Sequence, residues 1–125
     1  MALIKKFNLQ DGTFIRYSEQ GQGSPLLLLH TIRNRLEYAN ELLPYLTKKF
    51  KVYVIDLPGH GDSPINIKTN YDQEFMTESI VDFIEDHNLK NLTIVGESIG
   101  AVLAATIAKK IPKRIKKIFC FNSYD

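Results

Sequence analysis

The sequence has one cysteine, Cys120, which excludes an intrachain disulfide. Its place in the apolar run Ile118–Phe121 reads as a buried structural thiol. Charge of one sign is lacking too: the formal net charge is +2 at pH 7. That is too small for a general attraction to nucleic acid or to an anionic membrane surface. Met1–Gly12 holds no apolar run fit for a signal peptide, and no stretch approaches a membrane span. A cytoplasmic protein is expected. Repeats, low-complexity tracts and linkers are also missing, and 125 residues are enough for a single domain with a real core.

What is present is an ordered alternation. Leu3–Leu9 and Thr13–Ser18 are strand-like and meet at Asp11-Gly12, a hairpin signal. After the loop 21–25, the continuous apolar run Leu26–Leu29 suits a strand buried on both faces. Leu36, Leu42, Leu43 and Leu46 fall near helical spacing over 36–46, and Tyr38 and Tyr45 are expected half-buried on that helix. Val52–Ile55 is a further short strand. Beyond a loop over 56–70 rich in Gly, Pro and Asn, the residues Phe75, Met76, Ile80, Phe83 and Ile84 mark one face of a helix over about 72–87. Leu92–Val95 reads as a strand, 99–111 as an alanine-rich helix closed by Pro112, and Ile118–Phe121 as a last strand. The fold class is therefore α/β: a three-layer α/β/α sandwich with a mostly parallel sheet that starts in an antiparallel hairpin. Ligands bind such sheets at the carboxyl ends of the strands. The loops at His30, Asp56 and Gly96 are thus expected to meet on one rim.

Gly96-Glu97-Ser98-Ile99-Gly100 fits G-x-S-x-G. The bare pattern is moderate evidence, but here it directly follows an apolar strand and directly opens a helix. Such a turn strains the serine backbone, and glycines at 96 and 100 remove side chains where strand and helix crowd together. It lifts the Ser98 hydroxyl clear of the sheet at the positive end of a helix. The Ile99 N–H then points toward a developing oxyanion. A structural serine between two turn glycines is the weaker alternative.

With these residues in view, the sequence resembles the α/β-hydrolase superfamily as far as that fold's sixth strand. Leu26–His30 is similar to the strand ending in the family's oxyanion loop. Asp56-Leu57-Pro58-Gly59-His60-Gly61-Asp62-Ser63 is similar to its D-x-P-G-H-G-x-S turn, and the elbow at Ser98 is the third landmark. The resemblance implies a serine hydrolase of the esterase or acyl-hydrolase type with no cofactor. Ser98 would be the nucleophile, and the backbone N–H groups of Ile32 and Ile99 would form the oxyanion hole. It also implies that the chain is a partial, truncated domain without the cap and C-terminal strands.

Two departures stand out. The oxyanion loop reads His30-Thr31-Ile32 where the family usually has His-Gly-x, and the threonine narrows the backbone options for the Ile32 donor. Arg33 follows; it either faces the pocket, where it would suit a carboxylate-bearing substrate, or faces solvent, the stronger reading. The second departure is larger. The family's triad runs Ser, acid, His in chain order, yet His30, His60 and His87 all precede Ser98. By the resemblance, His30 and His60 brace turns, and His87 lies at the end of a helix running away from the rim. Asp125 falls where a few branches place the acid, although the usual site lies beyond the next strand. A serine without a base is a poor nucleophile at neutral pH, so the chain alone is expected to be inactive.

Other features carry less. Lys109, Lys110, Lys113, Arg114, Lys116 and Lys117 cluster at a helix end, where cations complement the C-terminal dipole. No aromatic interleaving points to nucleic acid. Asp56, Asp62 and Glu97 match no metal-ligand spacing, so no metal is expected; Glu97 is read as lining the elbow or bracing a neighbouring loop. The expected partner is a small-molecule ester or other acyl substrate, with no nucleic acid and no membrane. The alternative is a non-catalytic half-fold or interaction module. It would oligomerise, or take up a complementing chain, through an exposed edge at residues 118–121.

Overall fold

The computed structural model describes residues 3–31 and 35–121. The hairpin pairs β1 (Ile4–Asn8) with β2 (Phe14–Gln20), Asn8 opposite Phe14 next to the turn. Gly12 takes φ +86°, a conformation that favours glycine. β3 (Ser24–Leu29) and β4 (Phe50–Ile55) follow, with α1 (Leu43–Leu46) between them. Next come α2 (Gln73–Asp86), β5 (Leu92–Glu97), α3 (Ile99–Lys110) and β6 (Ile115–Phe121). The described strands form one six-stranded sheet in the order β1-β2-β4-β3-β5-β6. β1, β2 and β4 pair antiparallel, whereas β4, β3, β5 and β6 run parallel. The mixed sheet with a leading hairpin is the expected one.

Alternation along the strands divides the core between two faces. Leu27 and Leu29, Tyr53 and Ile55, and Leu92 and Ile94 pack beneath α2 and α3, with Ile80, Phe83, Ile84, Leu103 and Ile107 fully buried. Leu26, Leu28, Val52 and Val54 point to the other face, under Ala39 and Leu43. Asp72 caps α2 by accepting the Phe75 N–H at 2.9 Å.

Three expectations are corrected. The helix expected over 36–46 is two pieces, a 3-10 turn at Leu36–Ala39 and the single turn of α1. Pro44 is the reason: it has no N–H to give to the Asn40 carbonyl and its ring clashes there, so it can start a helix but not continue one. Tyr45, on the second piece, is 73% exposed, while Tyr38 is half-buried as expected. Cys120 is exposed, not buried. β6 has β5 as its one strand neighbour among the described residues, and Phe119 and Phe121 are exposed with it.

Candidate active site

The sharpest local feature lies between β5 and α3. Ser98 takes φ 57° and ψ −115°, a region that L-residues occupy only when the surroundings force it. The surroundings do force it. A methyl group on Gly96 would lie 2.2 Å from the Gly100 carbonyl oxygen, and one on Gly100 would lie 2.5 Å from the Leu29 carbonyl oxygen. Strand and helix therefore approach at backbone contact, and the one residue between them bends sharply. The Ser98 N–H donates to the Phe121 carbonyl at 2.9 Å, and its own carbonyl accepts from Ala101 and Val102. Its side chain does not cap α3. The hydroxyl is thus left partly open at the first turn of a helix, among amides that have no intrahelical acceptor.

The rim of the sheet gathers the other landmarks. His30 is completely buried at the end of β3. The Leu57 N–H donates to His30 Nε2 at 2.8 Å, so the ring proton belongs on Nδ1, which lies 2.6 Å from the Thr31 carbonyl. Burial holds the His30 pKa below the ordinary histidine value. This imidazole is a neutral brace with both nitrogens engaged. His60 is set over the same turn, its ring 5.5 Å from that of His30 and its Nδ1 3.1 Å from the Pro58 carbonyl. His87 closes α2: Nδ1 lies 2.9 Å from the Phe83 carbonyl and Nε2 3.2 Å from the Tyr17 hydroxyl, among the rings of Phe7, Tyr17, Tyr53 and Phe83. Among the described residues none of the three histidines hydrogen-bonds Ser98.

Asp56 is the buried carboxylate of the 56–63 turn, with no exposed surface. It accepts the Arg16 Nε–H at 2.8 Å and the Asp62 N–H at 3.0 Å. Gly61, at φ +56°, passes so close that a methyl there would fall 2.4 Å from the carboxyl carbon. The other end of the Arg16 guanidinium makes two bonds of 2.7 Å to Glu37. Burial opposes the Arg16 charge, but the bonds to Asp56 and Glu37 outweigh it and raise its pKa; the same contact lowers that of Glu37. Sequence reasoning missed Arg16 and Glu37. A buried carboxylate does demand a cation, but the pairing spans forty residues and left no local signal.

A small cleft of about 210 Å³ lies beside the elbow, lined by Leu28, Tyr38, Val95, Gly96, Glu97 and Phe121. Burial first, and the charge of Glu97 second, push the Tyr38 hydroxyl up to about 12. Glu97 thus lines the elbow, as expected. A wider apolar groove of about 470 Å³ continues along Leu26, Val95, Phe119 and Phe121. Ile32, Arg33 and Asp125 lie outside the described residues. No group of three or more His, Cys, Asp or Glu among the described residues could hold a metal ion.

A family model for the alpha/beta hydrolase fold matches residues 24–124. The chain belongs to that family. Among curated relatives, it is 28% identical over 120 residues to an (E)-2-((N-methylformamido)methylene)succinate hydrolase of Acinetobacter baylyi, covering 96% of this chain and 45% of that protein. It is 26% identical to a pimeloyl-[acyl-carrier protein] methyl ester esterase of Aeromonas hydrophila, covering 84% of this chain and 42% of that one. A solved hydrolase from Pseudomonas aeruginosa PA01 shares the fold, with a TM-score of 0.89 at 24% identity over 96% of this chain and 46% of that one. The chain spans less than half the length of these relatives. Within the α/β-hydrolase fold, the elbow, the His30 strand end and the 56–63 turn occupy one rim of the sheet. No described helix is long and apolar enough to cross a membrane.

Proposed function

We propose that the chain carries the nucleophile of a serine hydrolase of the esterase or acyl-hydrolase type. The observation that carries this reading is the strained Ser98 backbone, φ 57° at a strand-to-helix junction, with a hydroxyl that does not cap its own helix. Such strain persists where function retains it. In the proposed reaction the Ser98 Oγ attacks a carbonyl carbon while a base removes its proton. The Ile99 and Ile32 amides hold the oxyanion, and water then releases the acyl group. The methyl ester esterase among the relatives supports an ester or similar acyl substrate. His30, His60 and His87 are each engaged elsewhere. The base and the acid are therefore assigned to residues outside this chain, and the chain alone turns over no substrate efficiently.

The test is covalent labelling of Ser98 by a fluorophosphonate, with Ser98→Ala as control, alongside hydrolysis of p-nitrophenyl acetate. Slow, stoichiometric, Ser98-dependent labelling without efficient turnover is expected. Equal labelling of Ser98→Ala would remove Ser98 as the nucleophile. Ser98-dependent turnover at the rate of an ordinary esterase would overturn the assignment of the base to another chain segment.

One observation favours a companion reading, in which the chain acts with a second chain, either another copy or a complementing one. Phe119 and Phe121 are exposed beside the apolar groove, and contiguous apolar surface of this kind marks association. Light scattering on the concentrated protein is expected to show assemblies; a monodisperse monomer would refute it.

A further inference from the structure

The two faces of the sheet are covered unequally. On one face α2 and α3 pack over the strands, and their residues Ile80, Phe83, Leu103 and Ile107 are fully buried there. On the other face the helical elements among the described residues are the 3-10 turn at Leu36–Ala39 and the single turn of α1. Ala39 and Leu43 of these pieces pack on Leu26, Leu28, Val52 and Val54, which belong to β3 and β4. No described helix lies over β5 and β6 on this face, although parallel strands are normally covered on both. The register sets Lys117, Phe119 and Phe121 of β6 beside Thr93, Val95 and Glu97 of β5, and the two phenylalanines stay 49% and 54% exposed. These strands floor the apolar groove of about 470 Å³, and Leu42 and Leu46 line it from the side of α1.

The dimensions of the groove fit one more helix. α1 sits over β3 and β4, and the midline of β5 and β6 lies two strand spacings away, about 10 Å. Packed helices stand about 8–10 Å apart. From Lys117 to Phe121 the floor runs about 13 Å at the usual strand rise, a distance that about nine residues of helix span. The charges along it are ordered. Lys116 and Lys117 line the groove where β6 begins. Glu97 lines the cleft of about 210 Å³ that continues it toward the elbow, and the two share Leu28, Val95 and Phe121. A helix running antiparallel to β5 and β6, as α3 does in connecting them, sets its positive N-terminal end toward Glu97. Its negative C-terminal end then meets the two lysines.

We propose that the open half of this face is a docking groove for an amphipathic helix of a different polypeptide, which lays an apolar stripe on Val95, Phe119 and Phe121 and brings acidic residues of its last turn to Lys116 and Lys117. The proposal rests on the companion reading above, that the chain acts with a second chain, and names what that chain supplies. Docking of this type is carried by apolar anchors at i, i+3, i+4 and i+7. A second copy is the poorer fit. Its α2 and α3 are already buried against their own sheet. Its α1 is four residues long and is soon followed by Lys48 and Lys49, so it would bring cations to cations. A strand added at the β6 edge would extend the sheet and leave the groove uncovered.

The experiment titrates the 125-residue chain into a fluorescein-labelled, hydrocarbon-stapled helix of about twelve residues, a little over three turns, and reads fluorescence anisotropy at low salt. The peptide carries leucines at i, i+3, i+4 and i+7 and a pair of glutamates in its last turn; a second peptide differs only in having lysines there. Saturable one-to-one binding is expected, about tenfold tighter for the glutamate peptide, the scale of exposed ion pairs turned into repulsions. In the double variant Lys116→Glu with Lys117→Glu the preference should reverse. In Phe119→Ser with Phe121→Ser both peptides should bind about tenfold more weakly, or less. All four side chains are exposed, so these variants are expected to fold, which far-ultraviolet circular dichroism checks. If the phenylalanine variant does not fold, the charge-reversal variant decides. Equal affinity for the two peptides, binding that survives the loss of both phenylalanines, or no saturable binding would each overturn the proposal. Light scattering on the same samples separates it from the reading it rests on. Assemblies that bind neither peptide overturn the helix and leave the face to a second copy, whereas a monomer that binds neither fails the companion reading as a whole.

Discussion

Replacing Gly96 by alanine separates two opposed physical effects. Gly96 is not among the glycines with positive φ, so a side chain is compatible with its own backbone. On chain entropy alone, alanine at such a site stabilises by roughly 0.4–1 kcal/mol. Contact geometry says the reverse. The added methyl carbon would lie 2.2 Å from the Gly100 oxygen, 2.4 Å from the Gly100 carbonyl carbon and 2.7 Å from the Ala101 nitrogen. Ordinary contact needs more than 3 Å, and all three neighbours are backbone, so no side-chain rotation can relieve the clash. The first turn of α3 would have to move by about an ångström, yet Gly100 is itself pressed on the Leu29 carbonyl. Overpacking of this kind costs about 3 kcal/mol, the upper end of its usual range. For a domain of this size that lowers Tm by about 12 °C. Thermal melting followed by far-ultraviolet circular dichroism, with urea midpoints at 25 °C, checks it. Gly12→Ala is the control: nothing lies within 4 Å of that site, so it loses only about 1–2 kcal/mol from its positive φ. A Gly96→Ala protein as stable as the unmodified one would refute the close-approach account of the elbow.

Two further outcomes follow from the same rim. Ser98→Gly should raise stability by about 1–2 kcal/mol, because glycine occupies φ 57° without strain; Ser98→Ala, which keeps the strain, should leave the urea midpoint unchanged. Burial holds the His30 pKa below its reference of 6.5, so the unfolded chain binds that proton more readily than the folded one. Its contribution is complete above about pH 6.5 and declines as pH falls from there toward the folded pKa, with a slope of up to about 1.4 kcal/mol per pH unit. Urea titrations at pH 7.5, 6.5, 5.5 and 5.0 should show this decline, and His30→Gln should flatten it; an equal slope in both proteins would refute it.

The sheet and the elbow were legible in the sequence because both are written in short-range signals. Four-residue apolar runs such as Leu26–Leu29 announce strands buried on two faces, and G-x-S-x-G between a strand and a helix announces its own backbone geometry. Where the reading failed, the deciding interaction was either a single residue overriding a periodicity or a contact between distant segments. Pro44 broke a helix whose leucine spacing looked continuous, because periodicity registers side chains and proline acts through the missing N–H. Cys120 and Tyr45 were misplaced because burial depends on what covers a strand or helix, which apolar character alone does not state. Arg16 was invisible for a related reason. An isolated arginine in an alternating strand carries no motif, and its meaning comes from Asp56 and Glu37, which the fold brings to it.

These two kinds of legibility map onto two kinds of construction in the candidate site. The elbow is held by backbone packing: glycines that nothing else can replace, and hydrogen bonds from Ser98 to β6 and within α3. The 56–63 turn beside it is held by side chains, with His30 bonded to the Leu57 N–H and Arg16 to the Asp56 carboxylate. Backbone packing is insensitive to pH and salt, whereas a buried imidazole and a charged cluster respond to pH. Ser98 should therefore keep its backbone geometry under conditions that loosen the contacts of the 56–63 turn. Acid pH, which opposes the neutral His30, is expected to loosen the contact between His30 and the 56–63 turn before the elbow unfolds. Residue-resolved hydrogen exchange at pH 7.5 and pH 5.0, corrected for the intrinsic rate change, would show protection lost first at Leu57 and the other bonded amides of the 56–63 turn and last at residues 94–104. Loss in the reverse order would mean that the elbow depends on its charged neighbours after all.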